Sequence, residues 1–187
     1  MVETADLTNH FLIAMPQLTD PNFSQTVTYI CEHSREGALG IVINRPLDLR
    51  LREILAHMDL EADDAAVAEL PVYLGGPVQT DRGFIVHPGT ERWESTMEVT
   101  DGISVTSSRD ILGAIARGRG PQRMLVALGY AGWASGQLER EIAENAWLSG
   151  PADPEILFEL PHGARWSAAA ARLGVDLTLI SGQAGHG

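Results

Sequence analysis

The segment from Met124 to Trp147, MLVALGYAGWASGQLEREIAENAW, limits what this chain can fold into more than any other stretch. An apolar run, Met124 to Leu128, meets glycines at 129, 132 and 136. Leu138, Ile142 and Ala146 then follow at i, i+4, i+8, with Glu139, Arg140, Glu141 and Glu144 mainly on other faces. The pattern predicts a strand, a glycine-rich turn and an amphipathic helix. Such a turn lets backbone N–H groups approach a ligand or a second chain closely, and it equally lets a helix pack tightly on a sheet. Ser135 reads as the helix N-cap. Trp133, set among glycines, reads either as a partly exposed ring suited to a binding surface or as a packed lid over the sheet end.

The segment lacks the residues that would complete a known chemistry. A nucleophile elbow needs G-x-S-x-G, and Gly132-Trp133-Ala134-Ser135-Gly136 puts the serine one place late. The glycine spacing is not G-x-G-x-x-G, so no dinucleotide site is expected. All 13 basic residues are arginine, which removes Schiff-base lysines and P-loop lysines together. The six histidines show no i, i+3 or i, i+4 pairing, and one cysteine excludes a structural zinc site. Glu32-His33 and His87 are the best remaining metal candidates, yet neighbours on a strand point to opposite faces. No metal and no cofactor is therefore expected. Cys31 shares a strand face with Val27 and Tyr29 and reads as buried and inert, and His87, before Pro88, reads as a hydrogen-bonded edge residue.

Length bounds the rest. A chain of 187 residues is expected to form one domain, 1–187, with flexible ends at 1–8 and 182–187. No run approaches the roughly 18 apolar residues of a membrane span, and the acidic start lacks the basic region of a secretory signal. With a single cysteine, a reducing cytoplasm is the expected location. The formal net charge of −12 repels phosphate backbones, and the densest basic cluster is only Arg117, Arg119 and Arg123.

Strands are expected over 11–14, 27–32, 38–43, 72–74, 83–87 and 103–106, in the apolar run after 124 and from Trp147. Asn44-Arg45-Pro46 closes the third of these. Helices are expected over 51–58, after Ser107 as N-cap, over 138–146, from Asp153-Pro154 and over 164–173, with Gly118 as a C′ residue. Residues 59–70 read as a short helix or connector, and 90–98 as a loop or irregular edge. This irregular interleaving argues for an α+β fold with a mixed sheet.

Four blocks, FLIAMPQLTDPNFSQTVTYICEH, EGALGIVINRP, YLGGPVQTDRGFIVHP and LGYAGWASGQLEREIAENAWL, make the chain resemble the AlgH/YqgE family of bacterial proteins. They occur in the family's order from about Phe11 to Leu148. The resemblance implies a small single-domain cytoplasmic protein with a mostly antiparallel sheet curled into a pseudo-barrel and helices packed outside. It implies no catalytic residues. One branch takes its name from a regulatory role in alginate synthesis, and a transcriptional-regulator label has spread from it. An acidic chain without a basic recognition helix argues against direct DNA contact.

The leading expectation is a non-enzymatic binding or regulatory protein that recognises a small ligand or a protein partner. Its surface would combine Asn44, Arg45, Gly75, Gly76, Trp133 and Gln137, each at a predicted strand end or turn. Arg45 would supply charge-assisted bonds and Trp133 apolar area. The rival expectation is a hydrolase or transferase that uses Glu139, Glu141 or His87 as acid or base.

Overall fold

The computed structural model describes residues 6–89 and 91–179, so of the ends expected to be flexible, 1–5 and all of 182–187 lie outside the described residues. Inside them, Leu7 is buried and its N–H donates to His33 Nδ1 at 3.0 Å. The chain opens with β1 (His10–Ala14), β2 (Val27–Ser34), β3 (Gly37–Val42) and β4 (Pro46–Arg50). Helices α1 (Leu51–His57) and α2 (Ala65–Ala68) lead to β5 (Pro71–Leu74), β6 (Val78–Pro88), β7 (Thr96–Thr100) and β8 (Ile103–Thr106). Then come α3 (Asp110–Ala116), β9 (Leu125–Ala134), α4 (Gln137–Ala143), β10 (Trp147–Pro151), α5 (Pro154–Phe158) and α6 (His162–Ala171).

The strands form one mostly antiparallel sheet, ordered β10-β1-β2-β3-β9-β6-β8-β7 and curled into a half-barrel in an α+β fold. Strands β4 and β5 lie off this path, and the β5–β9 pair is parallel. Period-2 side-chain alternation divides the apolar residues between the two faces. Phe11, Ile13, Phe84 and Val86 enter one core with Ile156, Leu157, Ala169 and Ala170 of α5 and α6. On the opposite face, Leu12, Ala14 and Ile30 pack with Leu138 of α4. Ile85 and Val126 pack there with Leu51 and Leu55 of α1 and Ile111 and Ile115 of α3. With both faces covered, the central strands read as apolar runs.

The glycine-rich segment is not a turn. β9 continues through Gly129 and Gly132 to Ala134, and the helix begins only after Gly136. Along one edge β9 first pairs with β5 through Val126–Leu128, then with β3 through Ala131–Ala134. The exchange occurs at Gly129, whose φ is +79°. There the chain crosses Gly75 and Gly76, and a Cβ on Gly129 would lie 2.5 Å from the Gly76 carbonyl oxygen. A Cβ on Gly76 would lie 2.1 Å from the Tyr130 carbonyl carbon. The Gly75 N–H donates to the Leu128 carbonyl at 2.7 Å, and the Gly75 carbonyl accepts from Val42 N–H at 2.8 Å. The glycines serve a backbone crossing.

Other local differences have similar causes. Gly136, with φ +77°, takes the N-cap position, and the Ser135 hydroxyl instead donates to the Arg35 carbonyl at 2.5 Å. Arg109, not Ser107, occupies the N-cap of α3, where the Asp110 carboxylate accepts from the Ser108 hydroxyl. Proline closes β3 as expected, but Pro46 also opens β4; as the first residue of an outer strand it forfeits no ladder bond. β6 begins at Val78 rather than Gly83, whereas β7, the terminal strand of the sheet with a register shift between Glu98 and Thr100, bears out the irregular edge expected over part of 90–98.

Gly129→Ala is expected to destabilise the fold by about 2–4 kcal/mol, combining left-handed backbone strain with overpacking. Gly136→Ala, at a similar φ but with open space around it, should cost about 1 kcal/mol from strain alone. Urea midpoints of the two variants check the contrast.

Candidate functional site

Between α1 and α3 the sheet is incompletely covered. Its β6–β9 surface forms the floor of an open groove of 860 Å³. Gly83 pairs with Leu128 and Ile85 with Val126, so these four positions share one face. Gly83 deepens the floor: an added Cβ would meet only Leu128 Cδ2, at 4.0 Å. Ile54 of α1 and Met58 at its C-cap form one wall, and Ile111 and Leu112 of α3 the other. The rim carries Arg82, Arg109, Asp81, Gln79 and the hydroxyls of Ser107 and Ser108. The Arg82 guanidinium lies 5.1 Å from the Phe84 ring centroid and donates to Gln79 Oε1 and Ser107 Oγ at 3.4 Å each. These are long, weak bonds. The sequence reading missed this site. Its one local signal is the polar run Gln79-Thr80-Asp81-Arg82 placed directly before Gly83 and the apolar Phe84-Ile85-Val86.

The six residues expected to share one surface fall into two groups. Asn44, Arg45, Gly75 and Gly76 gather at the C-terminal end of β3, whereas Trp133 and Gln137 lie near its start. Ala38 pairs with Trp133, so Asn44 lies six residues further along, about 20 Å at strand rise. Asn44 Oδ1 accepts from Val27 N–H at 2.9 Å, and its Nδ2 donates to the Gln25 carbonyl at 3.0 Å. Arg45 donates to the Pro21 and Ser24 carbonyls. Both side chains bind the 20–25 loop to the sheet. Gly75 and Gly76 are buried in the crossing.

Trp133 takes the packed of its two readings, though inside a strand rather than over a sheet end: it is 6% exposed, within β9, against Phe23 and Trp147. Its large apolar area is core, drawn inward by the β-strand alternation that the flanking glycines obscure. Gln137 Oε1 accepts from Ala134 N–H at 2.9 Å, and Nε2 donates to Glu141 Oε2 at 2.8 Å. Glu141 Oε1 accepts from the indole N–H groups of both Trp133 and Trp147, at 3.1 and 3.0 Å. This carboxylate is committed to holding two tryptophans.

The other acid–base candidates are similarly engaged. His33 Nδ1 accepts from Leu7 N–H, which leaves Nε2–H to donate to Glu139 Oε1 at 3.1 Å. His87 is fully buried in a central strand rather than at an edge, with its ring perpendicular to Trp93. Its Nδ1–H donates to the Pro88 carbonyl at 3.2 Å, so Nε2 accepts from the Thr106 hydroxyl at 2.8 Å. Burial holds its pKa below the ordinary histidine value, favouring the neutral ring. Burial likewise pushes the Cys31 thiol well above the usual range, and Cys31 is buried as expected. Among the described residues, no three His, Cys, Asp or Glu side chains are grouped to hold a metal ion.

Glu141→Ala is expected to cost about 2–3 kcal/mol, because it strips the acceptor from two buried indole N–H groups. Glu141→Gln, which retains an acceptor oxygen, should cost less. Chemical denaturation followed by tryptophan fluorescence checks the order; unchanged stability in the alanine variant would contradict the assigned role.

Comparison with known proteins agrees with this architecture. A profile of the AlgH-like family matches residues 11–178. A UPF0301 protein of Thioalkalivibrio sulfidiphilus is 63% identical over 186 residues, spanning 100% of both chains. The UPF0301 protein AlgH of Pseudomonas aeruginosa is 55% identical over 181 residues, covering 96% of this chain and 95% of its own. The solution structure of AlgH from Pseudomonas aeruginosa superposes with a TM-score of 0.80 at 52% identity, covering 97% of each chain. The crystal structure of DIP2367 from Corynebacterium diphtheriae shares the fold, with a TM-score of 0.74 at 22% identity over 97% of this chain and 94% of its own. Family profile, full-length relatives and fold converge: the chain belongs to the AlgH-like family.

Proposed function

We propose that this protein is a cytoplasmic, non-enzymatic binding protein that takes a small organic ligand into the groove between α1 and α3. The observation that carries this reading is an 860 Å³ concavity with an apolar floor and a polar rim. That volume falls within the roughly 300–1,000 Å³ of small-molecule sites, which combine mostly apolar lining with a few directing polar groups. Gly83 supports the reading, because any larger side chain there would occupy the floor. Binding without turnover is supported by the state of the acid–base candidates. Glu139 is paired with His33, Glu141 holds two indoles, and His87 is sealed from solvent. No helix among the described residues is long and apolar enough to cross a membrane.

The surface expected from sequence is not carried forward as the ligand site, since the donors of Asn44 and Arg45 serve the 20–25 loop. The net charge of −12 argues against a nucleic-acid ligand.

A thermal-shift screen of a metabolite library tests the proposal, because a ligand that binds only the folded state raises the midpoint. Hits on the native protein should disappear in Gly83→Phe, which fills the floor while leaving the fold intact by circular dichroism. Hits that persist undiminished in that variant would move the site elsewhere.

A further inference from the structure

Four of the charged and polar groups around the groove, Arg82, Arg109, Asp81 and Ser107, define the chemistry of its occupant. Arg82 and Arg109 both line it, and neither forms an ion pair among the described residues. By contrast, Arg52, Arg92, Arg123 and Arg172 all meet carboxylates. Asp81 shares the rim, so the two guanidinium groups leave one positive charge in excess on a chain of net charge −12. The Ser107 hydroxyl stands beside them and can donate a hydrogen bond, whereas that of Ser108 already donates to Asp110. Arg82 is already braced over the Phe84 ring and bonded to its neighbours only at 3.4 Å, so a stronger acceptor could displace those bonds with little reorganisation.

The floor makes the opposite demand. Its apolar surface is presented by the half-buried Leu128, Ile54 and Leu112, with Ile85, Val126 and Ile111 buried directly beneath, and none of these offers a charge or a hydrogen-bonding side chain. A free inorganic anion would leave this area wet, and a neutral hydrocarbon would leave the guanidinium groups unused. We infer that the groove takes an amphipathic organic anion, whose carboxylate or phosphate sits between Arg82 and Arg109 while an apolar body lies on Ile85, Val126 and Leu128. Guanidinium groups suit this task because their planar fork of donors matches both head groups. This inference rests on the groove being the ligand site.

The test titrates the full-length protein, below micelle-forming concentrations, with octyl phosphate, octanoate, octanol and inorganic phosphate. Amide shifts are read at Gly83, Ile85, Val126 and Leu128. Octyl phosphate and octanoate are expected to bind at least tenfold more tightly than octanol or inorganic phosphate. Added salt should weaken the two anionic amphiphiles and leave octanol unchanged. An Arg82→Gln, Arg109→Gln double variant should bind all three eight-carbon probes equally, with octanol affinity as in the native protein. Equal affinity for octanol and the anionic probes in the native protein would overturn the anionic class while leaving the groove as the site. A full preference retained in the double variant would overturn the role of the two arginines. Shifts absent from all four floor residues with every probe would overturn the groove itself.

Discussion

The backbone crossing at Gly75, Gly76 and Gly129 is the constraint on which the rest of this structure depends. β9 has three partners, and β5 and β3 must share one of its edges in succession. They can do so only where two main chains approach more closely than side chains permit, with one residue at positive φ. The hydrogen bonds on Gly75 then tie β3, β5 and β9 together at one point. This junction lets a ten-stranded sheet curl into a half-barrel without a long connection.

That curl determines which surfaces remain available. Aromatic mass collects on the α4 side, where Phe23, Trp133 and Trp147 pack together and a single carboxylate satisfies both indoles. α5 and α6 cover the other face of the sheet, and there Trp166 donates its indole N–H to the Ala14 carbonyl. Over the β6–β9 pair, α1 and α3 leave a gap that Gly83 keeps deep. The groove is thus a consequence of sheet coverage, with its charges supplied by residues in the first half of β6 and at the N-cap of α3.

Much of the fold was legible because it is written locally. The apolar run 11–14, the alternation across 27–32, the helix at α1, the Asp153 cap with Pro154 behind it, and Gly118 at φ +74° all express short-range rules. The segment around Trp133 misled because its glycines resemble a turn, whereas the demand for Gly129 comes from residues 75 and 76, more than 50 positions away. Asn44 and Arg45 misled for a related reason: polar side chains at a strand end look available until the 20–25 loop folds over them. The groove assembles from four separate segments around 54–58, 79–85, 106–112 and 126–128, and no single one of them carries a motif.

The AlgH-like fold uses its signature glycines for construction, and its open groove is the site we propose for recognition. The measurement that bears most directly on this claim is a set of intermolecular nuclear Overhauser effects between a bound screening hit and methyl-labelled protein. The account predicts contacts to the methyls of Ile85, Val126 and Leu128. Contacts confined to Ile13 and Ile156, which line a smaller recess beside β10, would contradict it.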